Sequence, residues 1–366
     1  MSTVEESQVG DPELRSLYQD IAAAELRPLW TITEQLLTPT PRPRAIPWLW
    51  RGSVLRPLAE RAIRLVPVER GGERRVLSLT NPGLGGRPYA AGTLWGALQC
   101  LGPRETAPAH RHSPGAIRFV IEGEGVWTTV DGDACDMRPG DLVLTPGGAW
   151  HDHANGGDGH MFWFDGLDLP MVEALDAVFF EQHPELRQPV EGEHNRSEAD
   201  FREAGGTARD TMVAGAVRGP LDAAHSPLLV YRWTDTDARL AELAASDPAP
   251  MASVEFTNPH SGASVLPTLS CGMHRLRPGG TSATTRRSGN RVYVVFRGEG
   301  HSVIEGRRFD WTAGDMFVVP SWAAERHASE GGADLFSLGD DPVLRALGIY
   351  REETLPQPQP VTDVFG

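Results

Sequence analysis

The sequence predicts an all-β protein in which one β-barrel domain occurs twice, with helical stretches before the first copy and between the two. Three observations predict it. From Arg74 onward, short apolar runs (RVLSL, TLWGALQCL, AIRFVIEG, VWTTVDG, DLVLTP) alternate with Gly, Pro and Asp turns, the texture of close-set strands. Forty glycines and 30 prolines among 366 residues supply turns for many such strands. The text also repeats itself. EGEGVWTTVDGDACDMRPGDLVLTP (122–146) is echoed by RGEGHSVIEGRRFDWTAGDMFVVP (297–320), LGPRETAPAHRH (101–112) by LRPGGTSATTRR (276–287), and Thr80-Asn81-Pro82 by Thr257-Asn258-Pro259.

Taken in order, the chain divides into five parts. Residues 1–73 form a helical and extended N-terminal region: Asp11 caps, Pro12 opens, and Leu14, Leu17, Ile21 and Ala24 keep helical spacing through 11–37. PTPRPRAIPWLWRG (39–52) reads as extended, followed by a short helix near 54–65. Residues 74–170 are the first barrel. Residues 171–250 are a linker and insertion, with a helix over 170–186 and a polar stretch over 187–225. Residues 251–350 are the second barrel. A Pro-rich tail, 351–366, is expected to pack on a neighbour or fray.

Composition narrows the function. The length suits about two domains. With 34 basic against 49 acidic residues, the net charge is −15, which argues against a nucleic-acid partner or an anionic membrane surface. No apolar run approaches the ~20 residues of a membrane span, and the opening MSTVEESQVG is too acidic for a signal peptide. Cys100, Cys135 and Cys271 have neither disulfide-scaffold nor CxxC spacing, so a reducing cytoplasm is expected.

The two copies differ where chemistry is expected. The first has His110, His112 and His151; the second has Thr285, Arg287 and Glu325 at those places. On a strand, i and i+2 point to one face, so His110 and His112 can clamp one ion. The pattern Gly140-x5-Pro146-x-Gly148-x2-His151-x3-Asn155 sets another strand whose histidine faces the same interior. Three neutral imidazoles suit Fe, Zn, Cu or Ni. Purely structural histidines would be wanted in both barrels, so their absence from one copy points to chemistry in the other.

GPRETAPAHRH, VIEGEGVWTTVDGD and RPGDLVLTPGGAWHDHAN together resemble the paired motifs of the cupin superfamily. With ERRVLSLTNPGLGG, YAAGTLWGALQ and MFWFDGLDLP, the chain resembles the gentisate 1,2-dioxygenase family, including its salicylate and 1-hydroxy-2-naphthoate relatives. The resemblance covers residues 11–170 well and the second copy loosely. It implies an all-β bicupin of two double-stranded β-helix (jelly-roll) barrels and one Fe(II) per subunit in the first barrel. It also implies gentisate and O2 as substrates, ring opening to maleylpyruvate, and a homotetramer.

Many cupins carry a Glu ligand a few residues after HxH; here that place holds Ala116. Three neutral ligands leave a divalent ion's charge uncompensated, which favours an anionic bidentate substrate oxygen pair. By resemblance, Arg70 and Arg74 bind the substrate carboxylate, and of the adjacent Arg74 and Arg75 only one faces inward. Arg118, six residues after His112, is expected on the ligands' face. Asp165 is a candidate partner for a ligand histidine or an arginine. Gln99 and Trp95 share a strand face and border the site in the family, with Ala97 between them. His153, two residues after His151, faces inward, either donating to bound oxygen or taking the substrate hydroxyl's proton. Glu325 and Arg287 are expected to pair in the second barrel. The rival functions are a Zn- or Mn-dependent cupin isomerase and a non-enzymatic ligand-binding bicupin.

Overall fold

A computed structural model describes residues 11–67, 70, 75–215 and 224–366. The chain forms two compact units, Met1–Arg42 and Pro43–Gly366. The first holds α1 (Pro12–Ala23) and α2 (Thr33–Leu36). Asp11 caps α1 by accepting from the Glu13 backbone N–H, 2.9 Å, and Pro12 occupies the first turn. The helical stretch expected over 11–37 is therefore broken. Pro28 lacks the N–H a continuous helix would use, and a single 3-10 turn, Leu29–Thr31, separates the two helices.

The second unit opens with β1 (Trp48–Trp50) and α3 (Gly52–Leu65). The first barrel then follows as β2 (Val76–Ser78), β3 (Trp95–Leu101), β4 (Thr106–His112), β5 (Ala116–Glu122), β6 (Val126–Val130), β7 (Asp133–Met137), β8 (Leu142–Thr145), β9 (His151–Asn155) and β10 (Met161–Leu167). The connection carries α4 (Leu169–Ala174), β11 (Phe180–Gln182), α5 (Arg196–Glu203), β12 (Met212–Ala214), β13 (Val230–Tyr231) and α6 (Trp233–Ser246). The helix expected over 170–186 stops at Ala174. Phe180–Gln182 instead pairs with the open edge of β4, Phe180 opposite His112 and Gln182 opposite His110. Unpaired edge groups of β4 are thereby satisfied, and that outweighs local helix propensity.

The second barrel comprises β14 (Met251–Phe256), β15 (Ser270–Leu276), β16 (Gly280–Thr281), β17 (Thr285–Arg287), β18 (Arg291–Ile304), β19 (Arg307–Thr312), β20 (Met316–Val319), β21 (Glu325–Ser329) and β22 (Ala333–Gly339), then α7 (Asp341–Ala346), β23 (Glu352–Thr354) and β24 (Asp363–Val364). The tail packs rather than frays: β24 pairs with β19, and Phe365 stacks on Phe309 at 4.9 Å.

The first barrel closes two facing sheets, ordered β13-β8-β5-β10-β3-β2 and β11-β4-β9-β6-β7. In the second barrel the long β18 runs through both layers and joins them into one sheet. The duplication is visible in register. His110 lies opposite His151 in the first barrel, and Thr285 lies opposite Glu325 in the second. The barrels meet through Phe119 stacked on Phe336 at 4.2 Å. They are clasped reciprocally: Thr268 donates to Asp168, which also accepts from Gly115 N at 2.9 Å, while Thr93 donates to Asp340, which also accepts from Asn290 N at 2.8 Å. Residues 48–65 bridge them as well. β1 adds to β20, Gly52 N donates to Asp315 Oδ1 at 2.7 Å, and α3 then packs on β3. A Cβ at Gly52 would fall 2.6 Å from the Gly314 backbone, so only glycine permits that approach.

Candidate metal centre

His110 and His112 end β4, and His151 opens the neighbouring β9, so the three imidazoles converge at one end of the five-stranded sheet. One nitrogen from each lies within 4.8 Å of the others. Among the described residues, no Asp, Glu or Cys joins this group. Ala116, at the place where many cupins carry a Glu ligand, is fully buried on β5. Each ring is oriented by a backbone carbonyl. His110 Nδ1 bonds Pro108 O at 2.8 Å, His112 Nδ1 bonds Pro114 O at 2.8 Å, and His151 Nδ1 bonds Ala149 O at 3.1 Å. A carbonyl only accepts, so Nδ1 carries the proton and Nε2 is left as the lone-pair donor in all three rings.

Burial keeps the His112 and His151 rings neutral. It pushes His112 down to about 4, helped by His110 and Arg118, and holds His151 well below the usual range. His151 Nε2 is buried without a hydrogen-bond partner. An orphaned imidazole nitrogen facing two other ligating histidines fits a divalent transition metal. The residues present thus fit the implied ion. Phe180, exposed at its outer side, stacks on His110 at 5.1 Å.

The six-stranded sheet supplies the opposite wall. Ala97 on β3, Asp165 on β10 and Arg118 on β5 lie side by side in register and so share the inner face. Arg118 is only 3% exposed. It donates to Thr145 Oγ1, and its Nε lies 3.3 Å from Asp165 Oδ1, an ion pair without aligned hydrogen-bond geometry. Asp165 also accepts from Trp163 Nε1 at 3.1 Å. Burial raises the Asp165 carboxyl to about 6 despite Arg118, and burial lowers Arg118 despite Asp165. Asp165 therefore partners the arginine, not a ligand histidine. Gln99 sits opposite Trp163 on the same face, buried, and Trp95 Nε1 bonds Ser78 Oγ at 3.2 Å.

His153 is buried on the inner face of β9. Its ring packs on Trp163 at 5.4 Å, and its Nδ1 lies 2.8 Å from Thr128 Oγ1. Thr128 Oγ1 in turn lies 3.1 Å from Met137 Sδ. Arg70 is exposed at the surface before β2, and Arg74 lies outside the described residues. Arg75 faces away from the centre: it donates to Val66 O at 3.0 Å and pairs with Glu105. Sequence reasoning missed Thr128, Met137, Thr145 and Phe180. None belongs to a spacing motif, and their neighbours across the sheet become visible only with register.

The second barrel holds an ionic cluster where the first holds histidines. Arg287 Nη2 lies 3.1 Å from Glu325 Oε1, as expected. Glu325 Oε2 is met by Tyr293 OH at 3.0 Å and His327 Nε2 at 3.2 Å. Burial opposes ionisation of Glu325, yet Arg287, His327 and Arg291 together pull it down to about 2. A cavity of about 230 Å³ remains beside this cluster.

Comparisons with known proteins agree with this layout. A cupin-domain family model matches residues 97–167. The gentisate 1,2-dioxygenase of a Streptomyces species is 47% identical over 347 residues, 92% of this chain and 94% of that protein. A Comamonas 5-aminosalicylate 1,2-dioxygenase is 36% identical, covering 95% and 92%. The crystal structure of a salicylate 1,2-dioxygenase from Pseudaminobacter salicylatoxidans superposes with a TM-score of 0.86 at 41% identity, covering 95% of this chain and 99% of that one.

Proposed function

Because the chain belongs to the gentisate 1,2-dioxygenase family of ring-cleaving cupin dioxygenases, we propose that its own substrate is gentisate and its metal is ferrous iron held by His110, His112 and His151. The observation that carries this reading is the ligand set itself: three neutral imidazoles, no carboxylate among the described residues, and a buried arginine across the barrel. An uncompensated divalent ion favours an anionic chelate, and gentisate offers a carboxylate and an adjacent phenolic oxygen. Ferrous iron held by these three histidines would supply Lewis acidity toward the substrate's oxygens and redox activation of dioxygen.

The chain's own side chains do the rest. Arg70 and Arg74 receive the carboxylate, by resemblance to the family, and so fix the ring's orientation. Arg118, held between Asp165 and Thr145, presents a fixed positive charge where negative charge develops on oxygen. Gln99 adds an amide, and His153 is the polar partner of a substrate hydroxyl. Trp95 and Ala97 form the wall beside the ring. Cleavage falls between the carboxyl-bearing and ortho-hydroxyl-bearing carbons. Both atoms of O2 enter the product, maleylpyruvate, and the ring supplies all four electrons, so no external reductant is consumed. The same reading carries a homotetramer in the cytoplasm, for which light scattering and cell fractionation are the checks.

Anaerobic loading with ferrous iron, followed by oxygen uptake with gentisate, salicylate and 1-hydroxy-2-naphthoate in parallel, tests the proposal. One O2 consumed per gentisate, at the highest kcat/KM of the three, is the expected result. Preference for either of the other acids overturns the substrate assignment, and full activity with zinc but not iron overturns the metal.

A further inference from the structure

We propose that Met137 and Thr128 are positioning residues that fix which nitrogen of His153 carries the proton, so that His153 offers a bare Nε2 lone pair, a proton acceptor, to the substrate. Two matched relays, one in each barrel, carry this assignment. In the first, Thr128 Oγ1 lies 2.8 Å from His153 Nδ1 and 3.1 Å from Met137 Sδ. A thioether has no proton to give, so a bond between Oγ1 and Sδ uses the threonine's single hydroxyl proton. Oγ1 is then free only to accept, and the proton between Oγ1 and Nδ1 must sit on Nδ1. A neutral imidazole carries one such proton, which leaves Nε2 bare. In the reverse arrangement, Thr128 donating to Nδ1, oxygen and sulfur lone pairs would face each other at 3.1 Å with no proton between them, among side chains that are all buried.

The second barrel runs the relay the other way. Strand register equates Ser302 with Thr128 and His327 with His153, since each hydroxyl residue lies opposite its histidine. Ser302 also lies opposite Phe309 as Thr128 lies opposite Cys135, which puts Trp311 where the first barrel has Met137. Trp311 Nε1 donates to Ser302 Oγ at 2.9 Å, because an indole nitrogen can only donate. The serine proton then goes to His327 Nδ1, 2.8 Å away, and His327 Nε2–H meets the acceptor-only carboxylate of Glu325 at 3.2 Å. Exchanging a sulfur acceptor for an indole donor two residues further along the strand thus reverses the proton on a buried histidine. In the barrel that keeps the metal ligands, the histidine is set as a base.

This inference rests on the reading that a hydroxylated aromatic acid occupies the first barrel, and its test is independent of that reading. Neutron diffraction from deuterium-exchanged crystals of the metal-loaded protein locates the deuterons directly. The expected map shows deuterium on Nδ1 of His153 and on Nε2 of His327. Deuterium on Nε2 of His153, or on both its nitrogens, overturns the proposal. Met137→Leu keeps the volume and removes the acceptor. It is expected to move the deuteron to Nε2 and to lower kcat about fivefold to tenfold with KM and metal content little changed. A deuteron that stays on Nδ1 in this variant overturns the role of Met137. Thr128→Ser retains Nδ1 protonation and Thr128→Val does not. Should Met137→Leu fail to fold, the map of the unaltered protein still decides. Should the protein cleave no aromatic acid, the functional reading fails while the proton assignment stands or falls on the map.

Discussion

Replacing Asp165 by Asn tests how the barrel tolerates a cation beside its metal ligands. Arg118 is 3% exposed, and Asp165 is the carboxylate that offsets its charge, with Nε and Oδ1 3.3 Å apart. At an effective dielectric near 20 the Coulomb attraction at that distance is about 5 kcal/mol. Breaking a buried pair from one side costs roughly 3–5 kcal/mol. Asn keeps an oxygen for the Trp163 indole, so the lower figure, about 3 kcal/mol, is expected. For a chain of this length the unfolding entropy is about 0.8 kcal/mol per degree, so the melting temperature should fall by roughly 4 °C. Calorimetry on the metal-loaded protein at neutral pH reads it. Arg118→Met and the double variant complete the cycle, and the double variant should recover at least about 1.5 kcal/mol relative to the sum of the single losses. An Asp165→Asn protein as stable as the parent, or strictly additive losses, refutes the claim that these two charges depend on each other.

Other expectations follow from the same geometry. His112→Ala should lose both bound iron and oxygen uptake, measured by metal analysis and an oxygen electrode; retention of either contradicts the ligand assignment. Ala116→Glu returns a carboxylate to the inner face of β5, next but one to Arg118, and should raise the gentisate KM by on the order of tenfold to a hundredfold while leaving metal content intact. Ala97→Val adds two methyls beside Asp165 and should raise the gentisate KM about tenfold, whereas an unchanged KM removes Ala97 from the pocket wall. Two buried carboxyls should contribute to the pH dependence of stability with opposite signs. Burial pushes Asp340 up to about 6 from 3.8, so this group adds about 3 kcal/mol as pH falls through 6 toward 4. Glu325, pulled from 4.5 to about 2, gives up a similar amount as pH falls from 4.5 through 2. Denaturation curves across pH 2–7 should show the stability difference from the parent changing by about 3 kcal/mol between pH 6 and 4 for Asp340→Asn and between pH 4.5 and 2 for Glu325→Gln, and a difference that does not vary with pH contradicts the reading.

The sequence was most legible where short-range rules act. HxH on a strand, the Gly/Pro-framed His151 and the repeat all depend on side chains alternating every second residue, and β4, β9 and the paired registers follow from that. Arg118, facing the same interior from the opposite sheet, follows from the same alternation. What sequence could not supply was the partner across the sheet. The choice of partner for Asp165, histidine or arginine, depends on β10 lying beside β5, which sets it opposite Arg118. Val178 to Gln182 looked helical because local propensity says nothing of an unpaired strand edge waiting at β4. Thr128 and Met137 are unremarkable in one dimension and decisive in two. The helical spacing over 11–37 is interrupted at Pro28, where the missing N–H overrides the apolar periodicity.

The centre itself is most directly tested by anomalous diffraction at the iron edge from crystals loaded under argon with ferrous iron. The account predicts one iron per chain, bound through Nε2 of His110, His112 and His151 and by no side-chain oxygen, with no iron beside Glu325. An iron bound by an Asp or Glu, or one found in the second barrel, contradicts it.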